Sequence, residues 1–151
     1  MPIRAKYVHT NLIARDWKRL VQFYSDLFGC IPKGSERDMS GAWLDQVTSL
    51  RNAHLRGVHL SLPGYGDDVP TLEIFSYRQL VEGKMPNCKP VRVCPYRVCG
   101  RRCEPGVASA DRSRWRRGGE IATTQVDSVG VLRVVYARDS EGNIIELQKW
   151  N

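Results

Sequence analysis

Two short segments each put a single carboxylate inside an otherwise apolar run: Thr71-Leu72-Glu73-Ile74-Phe75 and Ile144-Ile145-Glu146-Leu147-Gln148. A strand alternates its side chains between two faces. A lone Glu there either turns out to water or turns inward, where it must be paired, because an unpartnered buried carboxylate is costly. The inward arrangement is the one with chemistry, as a metal ligand or a general base. The chain holds three histidines, His9, His54 and His59. His59 sits in Val58-His59-Leu60 and reads as a satisfied sheet residue rather than a ligand. A second candidate ligand group is Cys88, Cys94, Cys99 and Cys103. Its spacings of five, four and three intervening residues lack the CxxC pairs of a zinc ribbon, so a zinc site is not expected there.

Both carboxylate segments need neighbours to position them. Residues 3–13 are rich in β-branched and aromatic types and predict a strand. Asp16 offers an N-cap, and Trp17, Leu20, Val21, Tyr24, Leu27 and Phe28 then fall at helical spacing, with Gly29 placed to end the helix. Strand-like runs follow at 42–48, 55–62 and 71–77, separated by turn-rich stretches at 33–41 and 63–70. Residues 120–126 and 129–138 read as strands. Asp139-Ser140-Glu141-Gly142-Asn143 reads as a strong turn, and 144–150 as a half-buried final strand.

At 151 residues, 42% hydrophobic and 26% charged, the chain has the make-up of one ordinary globular domain. No apolar run approaches the ~18 residues of a membrane span, and no signal-peptide pattern opens the sequence, so the expected location is cytoplasmic. Five cysteines are an odd count for a secreted disulfide framework. The net charge of +7 is confined to one stretch. Residues 88–117 carry nine Lys/Arg and two acids, while the other 121 residues carry 14 charges of each sign. Four of the five cysteines lie in the same stretch. Without aromatic interleaving or a recognisable module, this basic window does not predict nucleic-acid binding; a solvated, loosely packed segment is expected.

Four segments together resemble the vicinal oxygen chelate superfamily, which includes glyoxalase I, the bleomycin-resistance proteins and the extradiol dioxygenases. They are His9-Thr10-Asn11-Leu12-Ile13-Ala14-Arg15-Asp16, then Phe23-Tyr24-Ser25-Asp26-Leu27-Phe28-Gly29, then Thr71-Leu72-Glu73-Ile74-Phe75, and last the run from Tyr136 to Leu147. The resemblance covers residues 3–86 and 118–150. It implies an α+β fold of paired βαβββ modules, whose curved mixed sheet surrounds a cleft, with the second module incomplete or altered. The implied organisation is a first module at 1–86, the anomalous segment at 87–117, and the remaining strands of the second module at 118–151. The family's metal-dependent members hold a divalent ion with four residues. Carried over, three of these fall on His9, Glu73 and Glu146, a donor set suited to Ni, Zn, Fe, Mn or Co. Resemblance to glyoxalase I further implies that Glu73 or Glu146 transfers a proton. The fourth ligand, a His on the first strand of the second module, is missing.

The basic window offers a reason. When the codons of residues 93–104 are read one base further along, with third bases free, they permit Phe-Ala-His-Ile-Ala-Phe-Ala-Val-Asp-Asp-Val-Asn. That is the expected first strand and helix start of the second module, with the ligand His near position 95. Residues 109–115 read the same way permit the expected helix end. The inference is a shifted frame over about 88–117, compensated near each end, which costs the second module one strand and one helix. Two functional classes follow. One is a metal-dependent lyase, isomerase or dioxygenase acting on a small molecule with neighbouring oxygens. The other is a metal-free protein that binds and sequesters a small antibiotic-like compound, or an inactive relative. The resemblance and the uncovered apolar surface of the first module both point to a homodimer.

Overall fold

The structure, a computed structural model, describes residues 6–66, 70–78, 96–99, 116–117 and 119–151. It divides into two compact units, residues 1–83 and 84–151.

In the first unit the chain runs β1 (His9–Ile13), α1 (Trp17–Phe28), β2 (Ile31–Ser40), α2 (Ala42–Thr48), β3 (His54–Ser61) and β4 (Thr71–Tyr77). The sheet order is β1-β4-β3-β2, with β1 parallel to β4 and the other pairs antiparallel. Helix α1 forms where its stripe predicts. The Asp16 carboxylate accepts the Arg19 N–H at 3.0 Å, which satisfies one of the unpaired donors of the first turn. Gly29 ends the helix in the left-handed region, φ 69°, with its N–H on the Ser25 carbonyl. Trp17, Leu20, Phe23 and Tyr24 are buried, and α1 packs on β3 and β4. The Ser76 hydroxyl ties the helix start to the sheet: it donates to the Ala14 carbonyl at 2.6 Å and accepts the Trp17 N–H at 3.2 Å. Just past the helix, burial pushes the Cys30 thiol up to about 11, leaving it protonated near neutral pH.

The two faces of this sheet differ. Register places Leu12, Val58, Leu60, Leu72 and Ile74 on one face, all buried. On the opposite face, Leu55 and Phe75 join Leu44 and Ala53 in an apolar cluster flanked by Met39 and Tyr77. That cluster ends at Phe75, and beyond it the same face carries Thr71, Glu73, His59, Asn11 and His9.

Two sequence expectations fail here. Of the stretch 33–41, read as turn, all but Gly41 belongs to β2, and 42–48, read as strand, is α2. Strand β2 is an edge strand exposed along nearly its whole length, so neither face needs apolar residues and no alternation marks it. Its pairing with β3 also shifts register between Lys33 and Arg37, with Gly34 at φ 78°. Helix α2 is only seven residues long and buries Leu44 alone, too little for a helical period to show. What holds it in place is Asp45, whose carboxylate accepts the N–H groups of Asn52 and Ala53 at 2.9 and 2.7 Å.

In the second unit the strands are β5 (Tyr96–Cys99), β6 (Arg116–Arg117), β7 (Ala122–Val126), β8 (Gly130–Arg138) and β9 (Ile144–Trp150). The order is β5-β9-β8-β6, with β7 pairing on β8 as well. Strand β5 is parallel to β9, as β1 is to β4. The expected loss of this module's first strand is therefore corrected: Tyr-Arg-Val-Cys alternates and holds two good strand formers, enough to seat a short strand beside β9. Apart from β5 and β6, the basic window, with Cys88, Cys94, Cys103, position 95 and the proposed helix end at 109–115, lies outside the described residues. The turn before β9 is as expected. Buried Asp139 accepts the N–H groups of Glu141 and Asn143 at 3.0 and 2.9 Å, and Gly142 supplies φ 92°.

Candidate functional site

Glu73 occupies the middle of β4, a central strand of the first sheet, and is 7% exposed. Turning out to water, the ordinary reading of a strand Glu, is thus excluded for this residue. Its direct neighbours are fixed by register: His59 on β3 and Asn11 on β1. Side chains opposite one another in a sheet share a face. His9, two residues before Asn11, shares it too.

The contacts follow from that placement. His59 Nε2 lies 2.7 Å from Glu73 Oε1. His9 Nε2 lies 3.2 Å from Oε2, and Asn11 Nδ2 donates to the same oxygen at 3.0 Å. On its far side, His59 Nδ1 meets the Thr71 hydroxyl at 2.9 Å. The two imidazole rings stand edge to face with centroids 5.5 Å apart, and the Phe75 ring closes the inner side of His59. The Asn11 hydrogen bond and the two imidazole nitrogens beside the carboxylate offset the cost of taking its charge out of water.

Burial lowers the His59 pKa from its ordinary value, and the positive charge of Arg37 lowers it further, against the upward pull of the Glu73 carboxylate. A neutral ring carries one N–H. With that proton on Nε2 facing Glu73, the Thr71 hydroxyl donates to Nδ1, and every polar atom is satisfied. The sign of the consequence is definite. A folded His with a lowered pKa holds fewer protons than the unfolded chain, so its share of stability is present above pH 6.5 and is lost as pH falls below it. The His59 ring resonances, followed by NMR, are expected to titrate below 6.5; a midpoint at or above that value would mean that burial does not control this group.

His54 faces the other way. It hydrogen-bonds Asp38, which also pairs with Arg56 at 3.1 Å. The His54 contact, with Arg56, holds the Asp38 carboxyl below its usual range. This group lies on the α1 side of the sheet and does not join the Glu73 cluster.

Of the three residues given a ligand role by resemblance, the first unit brings His9 and Glu73 side by side. Glu146 lies on β9 of the second unit, half-buried, opposite Tyr136 on β8 and Arg97 on β5. Among the described residues, no three His, Cys, Asp or Glu side chains surround a common point as they would with an ion between them. His9, Glu73 and His59 are instead drawn together pairwise through the carboxylate. His59, Asn11 and Thr71 are the members that the sequence did not assign. A polar residue between buried Val58 and Leu60 was the available signal, but only the β3–β4 register shows what it faces.

No protein-family model matches the sequence, and no curated protein matches it. Solved structures do match its fold. A glyoxalase family protein from Bacillus cereus superposes with a TM-score of 0.69 at 17% identity, over 99% of this chain and 95% of that one. A glyoxalase I mutant from Zea mays gives 0.59 at 13% identity over 95% of this chain, which spans 44% of the maize protein. A glyoxylase/bleomycin resistance protein/dioxygenase domain from Frankia sp. EAN1pec gives 0.51 at 13% identity, over 99% of this chain and all of that domain. Among the described residues no helix is long and apolar enough to cross a membrane. With two sheets of matching strand order, each having its first strand parallel to its last, the chain shares the fold of these glyoxalase and glyoxalase/bleomycin resistance/dioxygenase structures.

Proposed function

We propose that this chain is a glyoxalase/dioxygenase-like protein that acts on a small molecule with two neighbouring oxygens, as a lyase, isomerase or dioxygenase using a divalent transition metal. The observation that carries this reading is the buried Glu73 carboxylate with the His9 imidazole beside it, on the sheet face that α1 leaves uncovered. Imidazole nitrogen and carboxylate oxygen suit Zn, Ni, Fe, Mn or Co. His9 is two-fifths exposed, so an ion or ligand can reach it. Such an ion, when bound, polarises substrate oxygens as a Lewis acid. The protein's own share is to hold Glu73 in place through Asn11 and His59, and to keep a carboxylate next to two imidazoles where a proton can be held or passed on. Glu146 has the corresponding strand position in the second unit.

A second reading rests on a separate observation. Glu73 already accepts a hydrogen bond from Asn11 and has the Nε2 atoms of His9 and His59 at 3.2 and 2.7 Å. A carboxylate occupied in this way also suits a metal-free site that binds and sequesters a small molecule. Metal analysis of the purified chain separates the two. Under the first reading the protein takes up about one Zn, Ni or Co per chain, and His9→Ala abolishes stoichiometric uptake. Equal metal content in wild type and variant would overturn it in favour of the second.

A further inference from the structure

We propose that Thr71, His59 and Glu73 form a hydroxyl–imidazole–carboxylate triad that transfers a small acyl group from an ester to water, with Thr71 as the nucleophile. No ion takes part, so this activity stands or falls apart from the metal reading above.

Thr71 and Glu73 are two residues apart on β4 and so share a face, and His59 on β3 is the direct cross-strand partner of Glu73. The His59 ring links the two: Nδ1 lies 2.9 Å from the Thr71 hydroxyl and Nε2 lies 2.7 Å from Glu73 Oε1. A carboxylate only accepts, so the single proton of a neutral ring belongs on Nε2, and Nδ1 is left to accept the Thr71 proton. Asn11 donates to the other carboxylate oxygen at 3.0 Å, which holds Glu73 in that orientation. A nucleophile within hydrogen-bond reach of a base, itself oriented by a third group, is the arrangement that activates a hydroxyl. Among the described residues, His9 and His54 each meet a carboxylate but no hydroxyl. Thr71 is half-buried beside the two-fifths-exposed His9, so a compact acyl group can reach its oxygen. Packing alone does not call for this set, because apolar residues in place of a buried ionisable pair often hold a fold as well or better.

In the reaction, the Thr71 oxygen attacks the ester carbonyl carbon while its proton passes to His59 Nδ1, and Glu73 on the Nε2 side stabilises the imidazolium. The bond to the leaving oxygen then breaks, and His59 returns the proton to that oxygen, leaving Thr71 acylated and an alcohol free. Water, giving its proton to the same nitrogen, attacks the acyl-threonine; the carboxylic acid departs and the proton restores the hydroxyl.

Full-length protein in EDTA-containing buffer, mixed with p-nitrophenyl acetate and quenched in acid, tests this. Wild type is expected to release p-nitrophenol and to carry an acetyl group on Thr71, located by peptide mass spectrometry. Thr71→Ser keeps the hydroxyl and should be acetylated at the same position. Thr71→Val keeps the shape and should lose that adduct and slow p-nitrophenol release ~100-fold or more. Glu73→Gln should lower kcat by a similar factor at unchanged KM, because a side-chain amide can donate to Nε2 and move the ring proton to Nδ1. Wild type without an acetyl group on Thr71 overturns the assignment, wherever else the label falls, and so does release by folded Thr71→Val at the wild-type rate. If Thr71→Val does not fold, the position of the adduct in wild type decides.

Discussion

Replacing Gly57 by Ala is expected to unfold the first unit or to destabilise it by about 3 kcal/mol, the upper end for forcing atoms into a packed interior. Gly57 lies in the middle of β3 and is buried. A methyl group built there would come 1.9 Å from the Ile74 carbonyl oxygen and 2.2 Å from a ring carbon of Phe75. The oxygen belongs to the backbone of the neighbouring strand and cannot swing away. Relief requires β3 and β4 to separate, which breaks their ladder and moves His59 away from Glu73. Gly66→Ala is the control, because nothing lies within 4 Å of its added methyl. Chemical denaturation followed by circular dichroism should show a large loss for Gly57→Ala and a shift within ~0.5 kcal/mol for Gly66→Ala. Equal, small shifts in both would mean that β3 and β4 do not approach as closely as described.

Ile74→Ala should cost about 3–4 kcal/mol, a substantial share of the 5–15 kcal/mol that holds an ordinary domain together. Ile74 is fully buried on β4, one residue beyond Glu73 and on the opposite face, with Leu12 and Val58 as its strand neighbours. Its truncation leaves a cavity on the face that α1 covers. Because strand neighbours alternate in direction, the cavity opens away from the Glu73 cluster. The variant should therefore melt lower while leaving the contacts around Glu73 in place. Ile121→Ala, at a position 52% exposed, should change stability by less than ~0.5 kcal/mol. A urea titration that separates the two variants by under 1 kcal/mol would contradict the packing described here.

Local signals explain which parts of the fold were legible in the sequence. Helix α1 carries its cap, its apolar stripe and its terminating glycine within fourteen residues, from Asp16 to Gly29. Strands β4 and β9 bear apolar runs with one carboxylate each, and Asp139 to Asn143 holds its own turn together. The edge strand β2 and the short helix α2 carried no such mark, and the sequence reads the first as turn and the second as strand. Strand β2 buries almost nothing, so selection for apolar alternation does not act on it.

The candidate site divides along the same line. Composition and pattern placed Glu73 inside a strand, and resemblance singled out His9. Neither could say that Glu73 is buried, or that His59 and Asn11 flank it. Those facts depend on register, set by pairing β4 with β3 on one side and with β1, more than sixty residues earlier, on the other. A shift of one residue in either pairing would turn the neighbouring side chain to the opposite face. By itself, the sequence determined which residues could bind or transfer protons. The tertiary structure alone decided that a carboxylate and two imidazoles share one face, because a sheet brings distant residues together only through a ladder of backbone hydrogen bonds that side-chain identity does not record.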